Sequence, residues 1–238
     1  MSAAGPLKPR LWRLEQAPPG PGIPWPGEQQ PLWESADPAH PALLLIDRRS
    51  PPAPTLQAEL AASLSPAERR RLDGLRRSDD RERFLLGRAA LRRLLGTWLE
   101  RAPAAVPIEC GPHGKPRCPG GPEFNVSHSG DLILLALHPC RPVGVDVERE
   151  RPGLDWRPIA RRVLAPVECE ALTAEGFLAA WCRLEAQLKA GGLGLAGLGD
   201  PRPPGLGVWD VAVPPGYRAA VALAPPAQRQ SLKGTRTK

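Results

Sequence analysis

The sequence predicts an α+β fold, because short apolar runs typical of buried strands occur beside longer segments with helical periodicity. Apolar residues recur at helical spacing over residues 81–101, where arginines form one edge of the pattern. Further on, residues 207–213 and 217–223 form two strand-like runs on either side of a Pro-Pro-Gly turn, which predicts a C-terminal hairpin. Strands and helices are therefore both expected, without the regular alternation of a parallel α/β protein.

Composition limits the class of protein. The 238 residues are 42% hydrophobic, which is enough for one sizeable core or two small lobes. A formal charge of +7 favours anionic partners, but it does not choose among nucleic acid, a membrane surface, a phosphate cofactor and an acidic protein. Five cysteines without a CxxC pair, and no recognisable signal segment, predict reduced thiols in the cytoplasm. No apolar run approaches the roughly 20 residues that span a bilayer.

The N-terminal half begins with a Pro-rich segment, residues 1–40, which we expect to be a poorly ordered leader. The apolar run at residues 42–46 predicts a buried strand. Ser65 and Glu68 have the spacing of a capping box, with a proline between them at the first helical position, so a helix is expected to begin there. Residues 81–101 form the predicted core helix.

The C-terminal half is expected to begin with an antiparallel hairpin. Residues 131–137 and 143–147 are short apolar runs on either side of a Pro-Cys-Arg-Pro turn. Two helices are predicted next, over residues 157–173 and 174–190, and the second ends at a Gly-Gly pair that suits a C-cap. The final hairpin follows, and residues 226–238 form a basic tail.

Asp146 and Glu148 are the first candidate site residues. In a strand, a spacing of two places both carboxylates on one face, where they share a ligand or repel each other. Hard oxygen ligands of this kind suit Mg2+, which retains waters and binds substrate phosphates. A solvated strand end is the alternative interpretation of the same pair.

Glu185 and Lys189 are four residues apart in the last predicted helix and therefore face the same side. A metal-binding acid beside a phosphate-binding lysine fits this geometry. An ordinary surface ion pair fits it equally well.

The segment around Ser127 and His128 collects hydroxyls and one imidazole between a Pro/Gly-rich loop and an apolar run. Such a group can bind a phosphate. A hydrolase triad of Ser127 or Ser129, His128 and Asp146 is an alternative, although the GxSxG elbow is missing.

Lys115 and Pro116 lie in a Gly-Lys-Pro sequence that lacks the spacing of a nucleotide-hydrolase loop. The lysine remains a candidate for phosphate contact. The arginines of residues 69–83 are also candidates, although most such side chains line a solvated helix face.

Taken together and in this order, GKP, FNVSHSG, GVDVE and WCRLEAQLKAGGLGL resemble the surfactin-type 4'-phosphopantetheinyl transferases. The resemblance runs from about residue 42 to residue 223. It implies two similar, pseudo-symmetric α+β lobes in one chain, which we place at residues 41–138 and 139–225. Coenzyme A and Mg2+ would lie in the cleft between the lobes.

The resemblance also assigns roles. Asp146, Glu148 and Glu185 match metal-binding acids, and Glu185 also matches a group that deprotonates the serine of an apo acyl or peptidyl carrier protein. Lys189 matches a residue that holds the pyrophosphate. The residues implied to bind coenzyme A are Arg71, Arg83, Lys115, Pro116, Ser127, His128 and Lys189. We expect a monomer that modifies carrier proteins and binds neither nucleic acid nor membrane.

Two positions depart from the family pattern. Leu184 stands where relatives usually carry a lysine, and Glu68 stands at an often basic position. Arg183, one residue earlier, is a possible substitute for the missing lysine. Two rival functions remain open on sequence grounds. One is a basic nucleic-acid-binding protein, and the other is a phosphohydrolase that uses the same acids.

Overall fold

The computed structural model describes residues 5–13, 39–49, 54–111, 114–164, 172–193, 197–198 and 204–226. The strands are β1 (Arg10–Arg13), β2 (Ala42–Asp47), β3 (Glu109–Cys110), β4 (Pro116–Arg117), β5 (Glu123–Ser129), β6 (Leu132–His138), β7 (Val143–Arg149), β8 (Gly207–Asp210) and β9 (Tyr217–Leu223). The helices are α1 (Pro54–Ala62), α2 (Pro66–Gly74), α3 (Ser78–Leu99), α4 (Arg157–Val163) and α5 (Ala174–Gly191).

The strands form two main sheets. The first has the order β1-β2-β6-β5, in which β1 is parallel to β2 and the other pairs are antiparallel. The second is fully antiparallel and has the order β7-β9-β8. Strands β3 and β4 make a separate short ribbon. The α+β fold class is therefore confirmed.

The two sheets pack face to face with helices outside them. One face of the first sheet, which includes Leu44 and Ile133, packs against α1, α2 and α3. Its other face, which includes Leu45 and Leu134, packs against Val145 and the neighbouring apolar residues of the second sheet. Because both faces of β2 and β6 are buried, these strands are apolar at consecutive positions rather than at alternate ones, except for their last residues, Asp47 and His138.

Several predicted elements are confirmed. Strand β2 covers the predicted run, the capping box of Ser65 and Glu68 is formed, and α5 ends at Gly192 with a positive φ of 70°. The last two strands make the predicted antiparallel pair. Helix α4 begins where predicted, but it ends at Val163, where Leu164 adopts an extended backbone, so the prediction of one helix over residues 157–173 is wrong. Residues 165–171 lie outside the described part of the chain.

The predicted hairpin of residues 131–137 and 143–147 is wrong. Both strands form, but β6 pairs with β2 and β5, whereas β7 pairs with β9. The turn between them carries the chain from one sheet to the other. Local sequence did not distinguish these arrangements, because two adjacent apolar strands fit either a hairpin or a sheet-to-sheet crossing.

The leader prediction needs a correction for residues 5–13. Arg10–Arg13 form β1 along the free edge of β2, and Leu7 makes an isolated bridge to Val211, the residue that follows β8. An open strand edge offers unpaired backbone groups, which explains why this segment can be held there. The Pro-rich residues 14–38 lie outside the described part of the chain, as do residues 227–238 of the predicted tail.

Glu68 has a structural role that explains its acidic character. Its carboxylate accepts hydrogen bonds from the Ser65 amide at 2.9 Å and from the guanidinium of Arg92, a buried side chain of α3. Arg88 lies 3.3 Å from the same carboxylate. Although burial raises the pKa of Glu68, hydrogen bonds from Arg92 and Ser65 leave it below the usual value. The residue therefore ties the start of α2 to the core helix.

None of the described helices is both long enough and apolar enough to cross a bilayer.

Replacing Glu68 by Gln should lower the free energy of unfolding by about 2 kcal/mol at pH 7, because Arg92 then loses its buried counter-charge. The pKa of Glu68 is lower in the folded protein than its reference value of 4.5. The advantage of wild type is thus present above pH 4.5 and disappears as the pH falls through the folded-state pKa. Urea denaturation at several pH values measures this difference.

Glu109→Gln is the matched control, because its partner Arg117 is 69% exposed and such pairs contribute less than about 1 kcal/mol. Equal effects of the two substitutions would contradict the structural role of Glu68.

Candidate active site

The site begins where α5 crosses β7 at very short range. A Cβ atom on Gly144 would overlap the carbonyl oxygen of Ala186 and lie 2.8 Å from the carbonyl carbon of Lys189. The surrounding contact surface is made of small side chains: Cys182, Ala186, Ala190, Ala220 and Ala222. Because no large side chain separates them, the helix and the strand can bring their functional groups together directly.

Four charged side chains meet at this crossing. The Lys189 ammonium lies 2.6 Å from Asp146 Oδ1 and 3.8 Å from Glu185 Oε2. Glu148 projects from the same face of β7 as Asp146, as the spacing of two predicts, while Val145 and Val147 enter the core between the sheets. We call Asp146, Glu148, Glu185 and Lys189 the acid cluster.

Strand β5 supports the acid cluster from the first sheet. The Ser127 hydroxyl donates to Asp146 Oδ1 at 2.8 Å, and the Ser129 hydroxyl donates to Glu148 Oε2 at 2.8 Å. Both hydroxyls also accept hydrogen bonds from β7 amides, and the Asn125 side chain accepts from the amide of Val145 at 2.9 Å. Side chains of β5 thus accept hydrogen bonds from backbone amides of β7 that would otherwise need carbonyl partners on a neighbouring strand.

The surroundings of the acid cluster disfavour the ionised form of its glutamates. Burial raises the pKa values of Glu148 and Glu185, and the charge of Asp146 raises both further. Burial and the charges of Asp146 and Glu148 also raise the pKa of the Cys182 thiol, whose Sγ lies 3.3 Å from the Arg218 carbonyl oxygen. Among the described buried side chains, Asp146 Oδ2 is an oxygen without a hydrogen-bond partner. Such an arrangement favours an additional positive group.

The acid cluster does not by itself enclose a metal ion. Within the described ranges, no three His, Cys, Asp or Glu side chains are gathered closely enough to hold one. The Lys189 ammonium lies against one oxygen of Asp146 instead.

Ser127 and His128 do not share a pocket, although both were predicted to bind the same ligand. Successive residues of a strand point to opposite faces. Ser127 therefore contacts the acid cluster, whereas His128 lines a cavity on the helix-covered side of the sheet. This separation also rules out the adjacent Ser127 and His128 as a hydrolase pair. Ser129 lies on the Ser127 face, hydrogen-bonded to Glu148.

The cavity on the His128 side has a volume of about 360 Å³ and a basic lining. Arg71 and Arg88 lie over the ring of Phe84, at 5.2 and 6.0 Å from its centroid. Arg83, the third arginine of the lining, donates to the Gly130 carbonyl and to Asp80. Pro116 lines the same cavity. The structure thus brings together Arg71, Arg83, Pro116 and His128 of the predicted ligand set.

Arg88 and Phe84 are lining residues that the sequence reasoning did not assign to a site. Their i, i+4 spacing on the arginine edge of the predicted helix was the available signal. The pKa of Arg88 is lowered, chiefly because the side chain is buried. The charge of Glu68 raises this pKa, whereas the nearby charges of Arg92 and Arg71 lower it. Burial and the charge of Arg83 lower the pKa of His128. Three positively charged arginines, Arg71, Arg83 and Arg88, thus repel one another around the cavity, and an anion bound there would offset their charge.

Lys115 lies apart from this cavity lining. Its ammonium donates to the carbonyl oxygens of Val143, at 3.0 Å, and Lys189, at 2.8 Å. Burial lowers its pKa. In this structure the lysine therefore contacts backbone at the crossing of β7 and α5.

Arg183 does not replace the lysine that is missing at position 184. Its guanidinium makes a two-pronged contact with Asp210 of β8, at 2.8 and 2.6 Å. Leu184 itself is half-buried. Lys189 is thus the lysine that α5 contributes to the acid cluster.

An apolar groove of about 300 Å³ begins beside Glu148. Its floor includes the stacked rings of Trp156, Phe177 and Trp181, and its rim includes Leu154 and Ile159, which are 43% and 39% exposed. The groove places a hydrophobic surface next to a charged one. This combination suits a ligand with a polar end and a less polar remainder.

Comparison with known proteins finds a matching family for each of two consecutive parts of the chain. Residues 50–140 match the family described as "4'-phosphopantetheinyl transferase, N-terminal", and residues 142–230 match the "4'-phosphopantetheinyl transferase superfamily".

Individual relatives carry corresponding names. The 4'-phosphopantetheinyl transferase HetI of Nostoc sp. is 36% identical over 152 residues, which are 59% of this chain and 64% of the relative. The 4'-phosphopantetheinyl transferase AcpT of Escherichia coli K12 is 38% identical over 123 residues, which are 47% of this chain and 58% of the relative. The matched part thus spans less than two thirds of either curated relative.

A double-mutant cycle should reveal strong coupling between Lys189 and Asp146. Lys189→Met leaves the buried Asp146 carboxylate without its nearest cation and should lower the free energy of unfolding by about 2 kcal/mol. Adding Asp146→Asn should recover at least about half of that loss, because the uncompensated charge is removed. Urea denaturation of the four proteins gives the coupling energy.

The exposed pair of Arg183 and Asp210 provides the control cycle, with an expected coupling below about 1 kcal/mol. Additive effects at Lys189 and Asp146, within about 0.5 kcal/mol, would show that the observed contact carries no energy.

Proposed function

This chain belongs to the 4'-phosphopantetheinyl transferase superfamily, and from that premise we propose that it transfers 4'-phosphopantetheine from coenzyme A to a serine of an apo acyl or peptidyl carrier protein. The other product is 3',5'-ADP. The observation that carries the proposal is the meeting of Lys189 and Glu185 with Asp146 at the crossing of α5 and β7. We further propose a surfactin-type enzyme, with lobes at residues 41–138 and 139–225.

The basic cavity is the proposed site for the 3'-phosphoadenosine part of coenzyme A. Arg71, Arg83 and Arg88 offer cationic donors, and His128 adds an imidazole at the edge. Guanidinium groups bind phosphate oxygens through paired hydrogen bonds, which supports a phosphate ligand here. The Phe84 ring and Pro116 supply apolar surface for the adenosine.

The acid cluster is the proposed site of reaction. Its carboxylates suit Mg2+, since they are hard oxygen ligands and Asp146 Oδ2 lacks a hydrogen-bond partner. Asp146, Glu148 and Glu185 would hold the ion once their side chains turn toward one another, since as they stand they are not gathered closely enough to enclose it, and water and phosphate would supply the balance of its ligands. When bound, Mg2+ offsets negative charge on the diphosphate.

The protein's own groups orient the reactants and move one proton. Lys189 places its ammonium where it can bind a diphosphate oxygen, since it already lies between Asp146 and Glu185. The carrier serine oxygen forms a bond to the phosphorus that bears pantetheine, and the bond from that phosphorus to 3',5'-ADP breaks. Glu185 accepts the serine proton. Its half-buried carboxylate has a raised pKa, which makes it a better base than an exposed one.

The apolar groove beside Glu148 is the proposed path of the pantetheine arm toward the carrier protein. Its stacked rings offer hydrophobic contact next to the reacting phosphate. The net charge of +7 supports an acidic protein partner. We propose that the protein acts as a cytoplasmic monomer. Carrier proteins of fatty-acid, polyketide and nonribosomal-peptide synthesis all fit these features.

Incubation with coenzyme A, Mg2+ and a panel of apo carrier proteins should increase the mass of at least one carrier by one phosphopantetheine group. Asp146→Asn and Glu185→Gln should each reduce the initial rate at least about 100-fold, because charge stabilisation and proton transfer are lost. Mass spectrometry of the carrier gives the rate. Glu109→Gln, at an exposed position on the β3–β4 ribbon, is the control.

If every carrier keeps its mass, the proposed activity is wrong. Near-normal rates in both site variants would remove the acid cluster from the mechanism even if transfer occurs.

Binding of 3',5'-ADP should depend on Arg71. Arg71→Met is expected to weaken binding about tenfold, because a cation that faces the 3'-phosphate is lost. Binding of 5'-AMP, which lacks that phosphate, should change much less. Calorimetry with both nucleotides provides the comparison, and Arg70→Met, on the same helix but outside the cavity lining, is the control. Equal losses for both nucleotides would contradict a specific 3'-phosphate contact.

A further inference from the structure

Lys115 crosses from one lobe to the other. It directly precedes β4, and its carbonyl accepts a hydrogen bond from the Gly111 amide, next to the end of β3, at 2.8 Å. Its side chain reaches the opposite lobe and donates to carbonyl oxygens of two different elements, Val143 in β7 and Lys189 in α5. The ammonium thus joins strand and helix at one point.

The Lys189 carbonyl is one of the last carbonyls of α5, and it also accepts from the Gly192 amide at 3.3 Å. The C-terminal end of a helix carries partial negative charge, so an ammonium is favourable there. The same residue sends its own ammonium to Asp146. Lys115 therefore holds the backbone of the residue whose side chain completes the acid cluster.

Gly144 shows how tightly this geometry is constrained. Next to the Val143 carbonyl that Lys115 contacts, the strand approaches α5 so closely that even a methyl group would overlap helix backbone. A small retreat of α5 would move Lys189 and Glu185 away from β7 together, because both belong to the same two turns of the helix.

We propose that Lys115 is a positioning residue, whose ammonium fixes α5 against β7 so that Lys189 meets Asp146, and that it does not bind substrate phosphate. The expected effect on catalysis rests on the proposed function, whereas the expected effect on the position of Lys189 does not. Two of the three ammonium protons point to backbone carbonyls, and the side chain is outside the lining of the basic cavity. This replaces the phosphate contact predicted from the sequence.

Lysine-selective 13C labelling tests the proposal without using activity. The chain contains five lysines, so the spectrum of their Cε groups is simple to assign by substitution. In Lys115→Met, the Lys189 signal should shift toward that of an exposed lysine, because its backbone is no longer held. Lys8→Met, at an exposed position, should remove its own signal and leave Lys189 unchanged.

Kinetics separate positioning from phosphate binding. Lys115→Met should lower kcat at least about tenfold, because a displacement of about 1 Å at a reacting group has effects of this size or larger. KM for coenzyme A and Kd for 3',5'-ADP should stay within about twofold of wild type, since no phosphate contact is lost. All assays are run well below the melting temperature of the variant.

An unchanged Lys189 signal in Lys115→Met overturns the proposal, as does a large loss of 3',5'-ADP affinity with normal kcat. If Lys115→Met does not fold, Lys115→Gln is used with the same expectations, because its shorter side chain cannot reach both carbonyls. If wild type modifies no carrier protein, the proposed function fails, and the spectrum alone decides on Lys115.

Discussion

The close approach of α5 to β7 is the constraint on which the rest of the site depends. Gly144 and the alanines around it leave no room for larger side chains, so helix backbone lies almost directly on strand backbone. Lys189 and Glu185 can reach Asp146 because of this short distance. A larger residue at the crossing would separate these groups by more than a hydrogen bond can span.

Strand β5 divides the chemistry of the molecule into two regions of opposite charge. Its Ser127 and Ser129 face the acid cluster, while His128 faces the arginine-lined cavity. The two regions are thus one strand apart. For coenzyme A, the proposed ligand, whose phosphates are distributed along its length, this arrangement would suit binding at one end and reaction at the other.

The acid cluster illustrates how a fold maintains an unfavourable local arrangement. Burial raises the pKa values of Glu148 and Glu185, and Asp146 Oδ2 lacks a hydrogen-bond partner. Asp146 and Glu185 share the ammonium of Lys189, while Glu148 lies 3.9 Å from Arg151, and the three carboxylates repel one another. The surrounding packed sheets hold them in place, and such sites are common where a protein must attract a cation or stabilise a transition state.

The sequence by itself determined the α+β class, the capping box at Ser65, the ends of α5 and the common face of Asp146 and Glu148, because each follows from local periodicity or from backbone chemistry. Tertiary structure alone decided that β6 and β7 enter different sheets, that Lys115 contacts the backbone of β7 and α5, and that Arg88 lines the cavity. These depend on contacts between residues far apart in the chain, and local pattern carries no information about which distant surfaces meet.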